Sequence, residues 1–229
     1  RGLYPPGSVF KIIMVAAALE EGVLDLSETL YCPGQFRFGD RTYRCWKSDG
    51  HGNVNLHRAL VESCDAFFYQ LGLKLGIDRI ARYASGFGMG RPTGIVNRGE
   101  KGGVVASPAW KKKTLGQPWY AGETISVAIG QGYTLVTPMQ MAVLIAAVAN
   151  GGTLLRPNLV RRIEENDGTV RDTFGPEARG RLPVSPKNLE IIRTALRGVV
   201  QDARGTGFRA KVPGIQVAGK TRTAQVVRL

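Results

Sequence analysis

The stretch "SVFKIIMVAAALEEG", Ser8 to Gly22, decides how the rest of the chain is read. Val9, Phe10, Ile12, Ile13, Met14 and Val15 leave no polar stripe at helical spacing, and a helix apolar all round is buried. "PPG" stops the chain before it, Ser8 is placed to cap it, and Gly22 supplies a glycine just past its end. A core helix over Ser8 to Glu21 follows. Lys11 is the one cation inside that apolar run. Burial disfavours an ammonium and lowers a lysine pKa. Ser8 and Lys11, at i and i+3, share a face. The lysine is then placed as general base for the serine hydroxyl, and the helix N-terminus favours an oxyanion there. The same residues also suit a capping serine and a snorkelling lysine, so S-x-x-K alone leaves both readings open.

The rest of the chain bounds the choice. Its 229 residues, 43% of them hydrophobic, are enough for a sizeable core in one large domain. No apolar run reaches the roughly 18 residues that span a membrane, and no signal peptide is visible. "RGLYPPGS" reads as mid-protein sequence. Net charge is +13, from 31 Lys and Arg against 18 Asp and Glu, which suits an anionic partner. The cations are scattered, however, and no helix-turn-helix, zinc-finger or RNA-binding pattern accompanies them, which argues against nucleic acid.

Reading outward, residues 31–53 form a long ordered loop. A helical stretch begins at Asn55 and continues to about Leu75, with a break near Ser63. Asp78 caps a short helix that ends near Gly86. Residues 90–122 are loop-like. Thr137 and Pro138 open a helix that Gly151 closes. Two strands flank Asp167-Gly168. Ser185 opens a helix to about Val200, "ARGTGFRA" is a loop, and "IQVAGKTRTAQVV" is the one strong strand candidate. The class is α+β.

Two further segments offer chemistry. In "VESCDAFFYQLG" Ser63 and Asp65 interrupt a helical pattern, and both types bond their own backbone in turns and caps. Such a break presents a hydroxyl and a carboxylate to a cleft; a plain helix-capping Asp65 is the alternative. In the last strand, alternation puts Lys220 and Arg222 on one face and Thr221 and Thr223 on the other.

S-x-x-K, then S-x-D, then K-T-x, in that order, is the signature of penicillin-binding proteins and serine β-lactamases. With "PPGSVFK", "GHGNVN", "ESCDAFFYQLG", "QPWYAGETISVAIGQGY" and "KTRTAQV", the chain resembles class B penicillin-binding proteins of the penicillin-binding-protein-2 type over its whole length. The resemblance implies a D,D-transpeptidase of cell elongation. Ser8 would be acylated by stem peptides ending in D-Ala-D-Ala, and by β-lactams, with Lys11 taking its proton. Ser63 and Lys220 would serve the leaving D-Ala, with Asp65 where many relatives carry Asn. Thr221 and Thr223 would hold the substrate carboxylate, and the N–H groups of Ser8 and Thr223 would form the oxyanion hole. A RodA-type glycosyltransferase and the elongation complex would be partners. The catalytic domain would be periplasmic, anchored in the bacterial inner membrane.

The resemblance also implies a five-stranded sheet beside a helical lobe. Against that pattern, residues 1–229 are a partial transpeptidase domain, lacking flanking strands and a C-terminal helix, and of low stability alone. Arg222 stands where the family has glycine. It is expected to reach into the cleft and impair this copy, which keeps a sensor-type binding domain, or a serine β-lactamase, as alternatives.

Cys32, Cys45, His51 and Cys64 follow C-x12-C-x5-H-x12-C. Three thiolates and an imidazole suit a closed structural zinc site. A Cys32–Cys45 disulfide with Cys64 buried, or three free buried cysteines, fit the same residues. Some members of the resembled group carry zinc at similar positions. His57 reads as a helix-surface residue.

Overall fold

A computed structural model describes residues 2–95 and 99–222. The chain opens with a short 3-10 turn, Gly7–Phe10, that runs directly into α1, Lys11–Glu20. Every residue from Lys11 to Ala18 is buried, as an all-round apolar helix must be. Its C-terminus closes at Glu21, with Gly22 at φ +59°, a conformation that costs glycine nothing. Around α1 pack α2 (Leu56–Val61), α3 (Asp65–Leu75), α4 (Ile77–Gly86) and α8 (Pro186–Gln201).

The caps follow the sequence. Asn55 caps α2, accepting from the Arg58 amide. Thr137 and Gln140 form a capping box on α7 (Pro138–Ala149). Ser185 caps α8 and also donates through its amide and hydroxyl to Glu20, at 2.7 and 2.8 Å, which pins α8 to the end of α1. Hydrogen bonds from Ser185 and Asn188 outweigh partial burial and lower the Glu20 pKa. A sixth helix, α6 (Ala121–Ala128), lies against α3 where Gly72 meets Ala128; a Cβ on Gly72 would come within 2.6 Å of the alanine methyl.

Among the described residues, strands occur as four antiparallel two-stranded ribbons. β1 (Thr29–Cys32) pairs with β4 (Gly52–Asn55), setting Cys32 opposite Gly52. β2 (Gln35–Phe38) pairs with β3 (Arg41–Arg44). β5 (Thr153–Leu155) pairs with β8 (Ala178–Arg181), and β6 (Arg162–Glu164) with β7 (Val170–Thr173) around Asp167-Gly168. Helices and antiparallel ribbons together make the fold α+β.

Four expectations about the elements change. Asp78 does not cap α4: Gly76 holds that position, and Asp78 lies in the first turn. Residues 31–53 are not one loop but parts of two ribbons, whose strands, at four residues each, are too short to stand out in the sequence. Residues 90–122 contain α5 (Pro108–Leu115), whose "WKKK" masks its periodicity; Ser107 and Pro108 give it a regular cap and start. Residues 216–222 form no strand, because a strand is a paired state and no described strand lies beside them. The remainder of that expected strand, including Thr223, lies outside the described residues.

Candidate active site

Ser8 does not cap the helix: it is the second residue of the 3-10 turn, and Pro6 stands at the cap. Lys11, three residues on, is the first residue of α1, so Ser8 and Lys11 sit one turn apart where the 3-10 turn runs into the helix. The turn is held from outside. The Gly7 amide donates to the Gly130 carbonyl at 2.9 Å. Gly130 has φ +73°, and a Cβ there would lie 2.2 Å from the Gly7 carbonyl oxygen. "AIGQGY" therefore needs its first glycine to let the two backbones meet beside Ser8.

The break near Ser63 is a Schellman helix end. The Cys64 amide donates to Ala59 at 2.9 Å and the Ser63 amide to Leu60 at 3.4 Å, closing α2. Such an end calls for a left-handed residue, usually glycine. Here it is Ser63, at φ +53°, the one non-glycine with positive φ among the described residues. A serine held in that conformation costs about 1–2 kcal/mol. Lys11, fully buried, donates from Nζ to the Ser63 carbonyl at 2.9 Å, to Ser63 Oγ at 3.1 Å and to Asp65 Oδ1 at 2.6 Å. Asp65 opens α3. Its other oxygen, Oδ2, accepts from the Trp46 amide at 3.1 Å.

The third segment closes the cleft. Lys220 Nζ donates to Thr221 Oγ1 at 3.2 Å, and Thr221 Oγ1 shares a 2.9 Å hydrogen bond with Thr206. Burial, then the neighbouring Lys11 charge, push the Lys220 pKa down to about 7, against the opposing pull of Asp65. Ser8, Ser63, Asp65, Thr206 and Thr221 line one cleft of about 930 Å³. Arg222, expected in that cleft, is not among its walls. It is exposed and donates from Nη2 to the Pro5 carbonyl at 2.8 Å, because an irregular segment frees it from the strict alternation of a strand.

Behind Ser63 lies a second cluster. Cys32, Cys45, His51 and Cys64 are all buried, with ligand atoms within 4.8 Å of one another. His51 Nδ1 sits 3.5 Å from both Cys32 Sγ and Cys45 Sγ. These spans approach the roughly 3.8 Å edge of a tetrahedron with metal–sulfur bonds of about 2.3 Å. All three cysteines are free, so the disulfide alternative falls away. A hydrogen bond from Cys64 pulls the Cys45 thiol pKa down, and the same contact pushes Cys64 up. The four residues are able to hold a metal ion.

Comparison with known proteins agrees with this geometry. The penicillin-binding protein transpeptidase domain family matches residues 1–229. The chain belongs to that family. This transpeptidase domain is 38% identical over 229 residues to peptidoglycan D,D-transpeptidase MrdA of Acinetobacter baumannii, covering 99% of the chain and 34% of that protein. It is 36% identical to MrdA of Escherichia coli K12, covering 100% and 36%. The chain thus spans about a third of the length of these curated relatives. Among solved structures, penicillin-binding protein 2 of Pseudomonas aeruginosa superposes with a TM-score of 0.87 at 38% identity, over 99% of this chain and 51% of that one. The Helicobacter pylori protein gives 0.86 at 33%, over 100% and 42%.

The transpeptidase domain therefore brings Ser8, Lys11, Ser63, Asp65, Lys220 and Thr221 together, while Thr223 lies outside the described residues. Reading the sequence missed Thr206, Gly130 and Trp46. Thr206 gave no signal within "ARGTGFRA". Gly130 and Trp46 stood inside segments already singled out, but spacing does not reveal a contact across the fold.

Proposed function

We propose that the chain is the acylating core of a peptidoglycan D,D-transpeptidase. The observation that carries this is Lys11: fully buried, its Nζ bonds both Ser63 and Asp65, which line one open cleft together with Ser8. Ser8 Oγ attacks the penultimate D-Ala carbonyl of a stem peptide. Lys11, in its neutral amine form, receives the hydroxyl proton, and the carbonyl becomes a tetrahedral oxyanion. The amide N–H groups of Ser8 and Thr223 would stabilise it, by about 3 kcal/mol per donor. As the C–N bond breaks, Ser63, in contact with Lys11, passes a proton to the departing D-Ala amine. Lys220, poised near neutrality, assists that transfer. An amine of a second strand then attacks the ester, frees Ser8 and forms the cross-link. Thr221 and Thr223 would hold the terminal carboxylate. β-Lactams would acylate Ser8 the same way.

Zinc would sit among Cys32, Cys45, His51 and Cys64 and serve structure rather than the acyl transfer. Three thiolates and an imidazole match its preference, and Cys64 lies between Ser63 and Asp65. The Helicobacter pylori relative has been solved in complex with MreC, and another similar chain belongs to a peptidoglycan synthase complex. These support a place in the elongation machinery beside a RodA-type glycosyltransferase. We place the domain in the periplasm, tethered to the inner membrane, where its substrate lies.

Labelling by a fluorescent penicillin tests the reading: Ser8 should be acylated stably, and Ser8→Ala should abolish labelling. Rapid hydrolysis of the acyl-enzyme would instead make the protein a β-lactamase.

A further inference from the structure

Trp46 follows Cys45 and forms part of the cleft wall. Its hydrogen bonds all end on the segment that carries Ser63 and Asp65. Its backbone N–H donates to Asp65 Oδ2 at 3.1 Å. Its indole N–H is shared between the carbonyls of Glu62, at 3.0 Å, and Ser63, at 3.1 Å. The ring meets His51 edge-on, with centroids 5.4 Å apart.

Those two carbonyls are the ones that most need a donor. They sit where α2 has ended and α3 has not begun, so no helix amide reaches them. Between them lies the left-handed backbone of Ser63, which persists only if its surroundings over-determine it. Lys11 supplies one donor to the Ser63 carbonyl from below, and Trp46 supplies the other from the cleft side. Without the indole N–H the Ser63 carbonyl keeps Lys11 as its donor from one side only, so the turn, and with it the 3.1 Å contact of the hydroxyl with Lys11 Nζ, is held less tightly.

We propose that Trp46 is a positioning residue for acyl transfer, its indole N–H clamping the Ser63 turn so that the hydroxyl stays on Lys11. This rests on the transpeptidase reading above. The test uses the full-length protein and a fluorescent penicillin, measuring separately the dissociation constant of the non-covalent complex, the acylation rate constant and the fraction of protein labelled. Trp46→Phe keeps a ring but removes the N–H. Replacement of Trp46 by benzothienylalanine, which exchanges only N–H for sulfur, keeps shape and folding. Both should slow acylation about tenfold, the worth of one well-placed hydrogen bond. Dissociation constant and labelled fraction should stay within about twofold. Acylation at the wild-type rate in the benzothienyl variant would overturn the proposal. So would a loss explained wholly by a smaller labelled fraction, which marks a merely structural role. If the wild type itself is not labelled, the transpeptidase reading fails, and the proposal with it.

Discussion

Lys11 and Ser63, 52 positions apart in sequence, are bonded twice: one buried Nζ donates to both the carbonyl and the hydroxyl of one strained serine. The carbonyl contact helps hold the backbone in place, and the hydroxyl contact is the one the proposed proton transfer would use. Coupling the two means that the strain at Ser63 is supported by the same lysine that would exploit it.

Ser63→Gly should therefore separate stability from function. Glycine takes φ +53° freely and relieves about 1 kcal/mol of strain, although it loosens the unfolded chain as well. The melting temperature should hold or rise by a few degrees, while penicillin acylation falls at least a hundredfold for want of the relaying hydroxyl. A variant that melts well below the wild type would show that Ser63 is not strained.

The four-residue cluster predicts about one zinc per chain in protein purified without chelator. Stripping the metal should lower the melting temperature by many degrees, because three buried thiols would lose their common ligand. Acylation should slow too, since Cys64 joins Ser63 to Asp65. Metal analysis showing no zinc, with thiols unaffected by chelators, would refute this.

Arg222→Gly should change acylation by less than about threefold. The guanidinium bonds the Pro5 carbonyl at the protein surface and lies outside the cleft, and exposed hydrogen bonds contribute little. A large gain on substitution would mean that the arginine obstructs the site.

How much of this was legible in advance divides along physical lines. α1 and α7 were readable because apolar runs, caps and a proline start act within one turn of the chain. The order of the three motifs placed Ser8, Lys11, Ser63 and Asp65 in one site. The ribbons over residues 31–53 were not readable: β1 pairs with β4 across some twenty residues of chain, and the strands of both ribbons are only four residues long. Nor was the path of Arg222, since alternation holds only for a residue in a paired strand. Ser63 is the instructive case. The break in pattern was visible, but its cause, a serine in a glycine conformation, required the backbone.

Lys220 yields the last prediction. Its pKa falls from the ordinary 10.5 to about 7, first through burial and then through Lys11. Between those values the unfolded chain binds a proton that the folded domain does not. Stability from this group therefore rises as pH climbs from about 7 to about 10.5, and below 7 the full cost of a buried cation is present. Lys220→Met removes the group. The variant should be more stable than the wild type at pH 6, by a few kcal/mol, and the gap should close as pH approaches 10. Thermal melts of both proteins across that range measure the difference directly, with the titrations of groups not coupled to Lys220 cancelling. A gap independent of pH would mean that Lys220 keeps its ordinary pKa, and that its part in proton transfer at neutral pH must be abandoned.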